Sequence, residues 1–78
     1  MRRETELSVC VRRLLSEYFK HLDGEKPSAI YSMVLQSVER PLLEVVLYQA
    51  EGNQTKAAAM LGLNRNTLRK KMQEYGIK

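Results

Sequence analysis

Gly52-Asn53-Gln54-Thr55-Lys56-Ala57-Ala58-Ala59-Met60-Leu61-Gly62-Leu63-Asn64-Arg65-Asn66-Thr67-Leu68-Arg69-Lys70-Lys71-Met72-Gln73-Glu74-Tyr75-Gly76 is the stretch whose reading decides the fold. It predicts two short helices joined by a tight turn. Asn53, after a helix-ending Gly52, is an N-cap whose side-chain oxygen can accept from a free amide of the first turn. The run Lys56 to Leu61 has strong helix propensity. Gly62 supplies the positive φ of a sharp turn, and Asn64 offers the second N-cap. Small Ala57 and Ala58 let two helix backbones approach, with Leu61, Leu63, Leu68 and Met72 filling the wedge. That spacing is a helix-turn-helix, whose second helix enters the DNA major groove.

Charge supports this reading. Residues 1–52 carry seven Lys/Arg and eight Asp/Glu, whereas residues 53–78 carry six Lys/Arg against the single acid Glu74. A basic end on a near-neutral body is the footprint of a nucleic-acid binder. A charge cluster alone would be read as a solvated face; its coincidence with the helix-turn-helix pattern favours DNA. On the second short helix, Leu68, Met72 and Tyr75 fall on one side and dock on the protein. Asn66, Lys70 and Gln73 fall opposite, with Thr67 and Glu74 flanking. Asn64 and Arg65, at the amino end, point at base edges in this docking geometry, and an Arg there can pair with guanine O6 and N7. Arg69, Lys70 and Lys71 are placed for phosphates, as are Asn53, Thr55 and Lys56 at the other helix amino end.

Upstream, Ser28 is the expected N-cap of a long helix over about 29–51, roughly 34 Å at ~1.5 Å per residue. Pro41 lies near its middle and predicts a kink or local break, because it has no amide to donate and its ring clashes with the preceding turn. Before Pro41, Ile30, Tyr31, Val34, Leu35 and Val38 form an apolar arc, leaving Ser32, Gln36, Glu39 and Arg40 exposed. After it, Leu42, Leu43, Val45, Val46, Leu47 and Ala50 cover more than half the circumference. A helix this apolar is buried against more than one neighbour. The first helix and the C-terminal pair supply two. A partner subunit is the expected third, since a chain of 78 residues buries only about 60% of its unfolded surface.

Leu7, Val11, Leu14, Leu15, Tyr18, Phe19 and Leu22 recur at three- and four-residue intervals and predict an amphipathic helix over about 6–22. Asp23 to Pro27 ends it with a glycine and then a proline. Arg2 and Arg3 precede it as weak phosphate contacts. The single Cys10 falls on the apolar face and reads as a buried structural thiol; the single His21 reads as a surface residue.

Enzyme chemistry finds no footing. There is no Gly-rich phosphate loop and no metal-ligand cluster, so neither metal nor cofactor is expected. Tyr48 and Tyr75, near helix ends, are expected to close the core with their hydroxyls at its edge. No apolar run approaches the ~20 residues of a membrane span and no signal-peptide pattern opens the chain, so the expected setting is the cytosol with no membrane partner.

Gly52–Ala58, Leu61–Lys71 and Tyr75–Ile77, with Tyr18–Gly24 and Val38–Leu43 upstream, resemble the factor for inversion stimulation family, Fis, over nearly the whole chain. The C-terminal part is also similar to the terminal domain of NtrC-type regulators. The Fis resemblance implies an all-α, four-helix subunit forming one domain over 1–78. Helices over 6–51 would intertwine in a homodimer core that includes Val34, Val38, Leu42, Val45 and Val46, with a helix-turn-helix over 53–76. It implies a nucleoid-associated transcriptional regulator that bends double-stranded DNA at degenerate sites in the bacterial cytoplasm. By the family's motif, Asn64 and Arg65 match base-contacting positions. Asn53, Thr55, Thr67 and Lys70 match phosphate-contacting ones, and Arg69 and Lys71 share the same basic surface.

Two positions depart from the family: Lys56 stands where an Arg is familiar, and Asn66 where well-known members have Gly. The chain also starts almost at its first helix, without the amino-terminal arm that touches the recombinase in the best-known member. A recombinase contact is therefore in doubt. The alternatives are a protein-interaction or dimerisation module, or the detached DNA-binding tail of an NtrC-type activator.

Overall fold

In the computed structural model, which describes residues 4–78, four helices follow one another along the chain. They are α1 (Glu6–Lys20), α2 (Ile30–Gln49), α3 (Gln54–Leu61) and α4 (Arg65–Tyr75), and no strand occurs among the described residues. Arg2 and Arg3 lie outside those residues. The fold divides into two compact units, one ending at Val34 and one spanning Leu35–Lys78.

In the first unit, α1 opens on a capping box. Thr5 Oγ1 accepts from the Ser8 amide at 3.0 Å, and Ser8 Oγ accepts from the Thr5 amide at 2.9 Å. The helix stops at Lys20, two residues before the expected end, where the His21 amide bonds back to the Glu17 and Tyr18 carbonyls. Asp23 and Gly24 then take positive φ. His21 is exposed, as expected. Cys10 is only half-buried and accepts a contact from Arg13 at 3.6 Å, so it is not the fully buried thiol of the sequence reading.

The start of α2 differs from expectation. Ala29, not Ser28, occupies the cap position: its carbonyl accepts from Met33 at 3.0 Å, and its φ of 55° keeps it out of the helix. Helix geometry then continues through Pro41 to Gln49, so the expected local break does not occur. At the far end, Glu51 rather than Gly52 is the first residue of positive φ (56°). Glu51 donates to the Tyr48 carbonyl and Gly52 to the Leu47 carbonyl, the paired bonds of a Schellman ending. The same pair recurs after α3, from Gly62 and Leu63, and after α4, from Gly76 and Ile77. Of the three endings, only the first uses a non-glycine residue at this position.

The core of the second unit lies where the C-terminal half of α2 meets α3 and α4. Leu43, Leu47, Ala50, Ala57, Ala58, Leu68 and Met72 are buried, with Val46, Leu61, Tyr75 and Ile77 packed around them. Ala57 and Ala58 are both buried in it, as their lack of bulk permits. Pro41 divides α2 by sequence, but burial divides it by face. Leu43 and Leu47 turn into this core while Leu42 and Val45 stay 46% and 60% exposed. Tyr48 is 80% exposed and does not close the core; Tyr75 does pack against it.

Candidate nucleic-acid interface

Both short helices begin as their sequences dictate. Asn53 Oδ1 accepts from the Lys56 amide at 3.1 Å, and Asn64 Oδ1 accepts from the Asn66 amide at 2.8 Å. Each asparagine thereby satisfies one amide of the first turn and leaves its own NH₂ group able to donate outward. Between them, Gly62 at φ 76° makes the turn, and nothing crowds the space a Cβ would occupy there. Glycine is therefore required by the backbone conformation rather than by packing.

On α4, burial of Leu68 and Met72 fixes the outward face. At 3.6 residues per turn, Asn66, Lys70 and Gln73 lie opposite those two leucine and methionine positions, flanked by Arg65 and Arg69 on one side and Thr67 on the other; all six are exposed. Asn53, Thr55 and Lys56 are likewise exposed at the start of α3. The structure thus leaves all but one of the sequence-selected polar side chains in solvent.

The exception is Lys71. Its ammonium lies 2.6 Å from Glu39 Oε2 on α2, and its side chain is 28% exposed. Glu39, expected in solvent, is only 15% exposed, and its other oxygen accepts from the Tyr75 hydroxyl at 2.6 Å. Arg40, exposed as expected, nonetheless donates to the Tyr75 carbonyl, stacks 5.4 Å from the Tyr75 ring centroid and lies 3.6 Å from Glu44. The Lys71 ammonium, then the Tyr75 hydroxyl, hold the Glu39 carboxyl below the usual carboxylate range. Reciprocally, the Glu39 carboxylate pushes the Tyr75 phenol up to about 12. Sequence reasoning missed this cluster because Glu39 and Lys71 meet only once α4 is packed on α2.

The sequence profile described as bacterial regulatory protein, Fis family, matches residues 34–75, just over half of the chain. The chain belongs to the Fis family. Its similarity to other members extends further than that match. It is 54% identical over 72 residues to proteins of Neisseria meningitidis serogroups A and B named as Fis-like DNA-binding proteins, covering 92% of this chain and 91% of each of theirs. To a protein of the same name from Ralstonia nicotianae it is 57% identical over 68 residues, 87% of this chain and 88% of that one. The Fis-family match takes in all of α2 after its first turn, together with α3 and α4, the elements that build the buried core and the exposed polar face. Among the described residues, no helix is long and apolar enough to cross a membrane.

Proposed function

We propose that this chain is a DNA-binding regulator that lays the exposed face of α4 in the major groove of duplex DNA. The observation that carries the reading is the polarity of α4. Leu68 and Met72 are buried while Arg65, Asn66, Arg69 and Lys70 stand in solvent, in a chain related to proteins named for DNA binding. Asn64 and Arg65 read base edges, since the amino end of the second helix points there. Asn53, Thr55, Lys56, Thr67, Arg69 and Lys70 hold phosphates through side chains and helix amino termini. Lys71, already paired with Glu39, adds to the positive field more than to direct contact.

The working form in this proposal is a homodimer. Val34, Val38, Leu42, Val45 and Val46 supply its core; the exposure of Leu42 and Val45 in the single chain supports that assignment, while Val46 also borders the subunit's own core. Two recognition helices on one duplex bend it, and the protein acts on the bacterial nucleoid as a transcriptional regulator of low sequence selectivity. Competition is the test. A labelled 30-bp DNA duplex bound by the chain should be displaced by unlabelled DNA duplex and poorly by RNA duplex of the same sequence, whose deep, narrow major groove excludes a helix. Equal displacement by both would refute the major-groove reading. Mobility of circularly permuted DNA fragments tests bending; position-independent mobility would remove it.

A further inference from the structure

α4 is fastened to α2 on both sides of Pro41. Leu68 and Met72 pack in one cluster with Leu43 and Leu47, which follow the proline. Lys71 and Tyr75 bond to Glu39 and Arg40, which precede it. Pro41 donates no amide bond and its ring presses on the turn before it, so this is where α2 has least backbone support. Arg40 reinforces the fastening by holding the last carbonyl of α4, where a cation meets the negative end of the helix dipole.

We propose that Glu39 and Arg40 are positioning residues for the recognition helix: through Lys71 and Tyr75 they make α4 a splint across Pro41, and this tie sets the angle at which the reading face stands to α2. Neither residue touches DNA. Lys71, by the same arrangement, is a structural cation despite lying within the basic run Arg69-Lys70-Lys71. The inference rests on the DNA-binding reading for its consequence but not for its geometry, and the two are measured separately.

The geometry is tested by amide residual dipolar couplings in the full chain, comparing residues 35–40 with residues 43–49 and α4. In the unmodified protein all three segments fit one alignment tensor. In Glu39→Gln and in Tyr75→Phe, residues 35–40 should depart from the tensor shared by the other two. An unchanged common tensor in both variants overturns the splint. The consequence is tested by titrating a random-sequence 30-bp DNA duplex against each protein at several salt concentrations. Glu39→Gln should weaken binding roughly ten-fold, the scale of one hydrogen bond to a charged group, with the log–log salt slope unchanged because no phosphate contact is lost. Tighter binding with a steeper slope would mean that freed Lys71 reaches the backbone, and would overturn its structural assignment. Unchanged affinity would overturn the positioning role. Failure of the unmodified chain to bind the duplex at any salt would overturn the DNA reading instead, leaving the dipolar couplings to decide the splint.

Discussion

Glu39 Oε2 lies 2.6 Å from Lys71 Nζ, joining two helices through residues 32 positions apart in the chain. The contact is part of a cluster with Tyr75 and Arg40 that ties the end of the recognition helix to α2. Its chemistry has a pH signature. The folded-state pKa of Glu39 is depressed below the ordinary carboxyl value of 4.5. Its contribution is therefore complete above that value and is lost as pH falls through the lower, folded one. Urea unfolding followed between pH 5 and pH 2 should show a shallower acid decline in Glu39→Gln than in the unmodified chain. The pair Glu4–Arg12 is a comparison: its 2.9 Å contact is solvent-exposed, so Glu4→Gln should change the acid limb little.

Base reading and phosphate holding separate by mutation. Arg65→Ala should flatten sequence preference, losing about 1–3 kcal/mol of discrimination at one base position. Lys70→Ala should weaken all sequences alike and reduce the salt slope by about one phosphate. Selection from a random duplex pool with each variant measures both effects, and matching selectivity profiles would refute the division.

Two of the three Schellman endings predict that gaining a glycine stabilises and losing one destabilises. Glu51 has φ 56° with a side chain, so Glu51→Gly should raise stability by about 0.5–1 kcal/mol. Gly62, at φ 76° with open space around it, should lose about 1 kcal/mol on substitution by Ala through backbone conformation alone. Thermal unfolding of both variants checks the pair; a stabilised Gly62→Ala would contradict the turn geometry.

Leu68 is fully buried at the centre of the α2, α3 and α4 core. Leu68→Ala should cost about 2–5 kcal/mol, a large share of the stability of so small a unit. Circular dichroism should show helix content lost at lower temperature, and duplex binding should fall with it.

What was legible in the sequence followed from local chemistry. Asn53, Gly62 and Asn64 each act within a few residues of chain, so α3, the start of α4 and their turn lie where those residues place them. Ala29 carries no comparable signal: nothing about alanine announces a positive φ, and Ser28 looked like the better cap. Tyr48 and Tyr75 share a position near a helix end, yet only Tyr75 packs on the core, because the side on which α4 crosses α2 is a tertiary fact. Glu39 and Lys71 were missed for the same reason. Each looks solvated beside its own neighbours and finds its partner only after packing. The exposed face of α4 was legible because the apolar spacing of Leu68 and Met72 determines it by elimination.

The central claim, that the polar face of α4 holds the DNA backbone, is tested most directly by the salt dependence of duplex binding. Fluorescence anisotropy of a 30-bp duplex should give log K falling linearly with log salt concentration, with a slope of about −0.9 for each phosphate neutralised. Lys56, Arg69 and Lys70 on each subunit of a dimer predict a steep line. Binding whose strength does not change with salt would contradict the account.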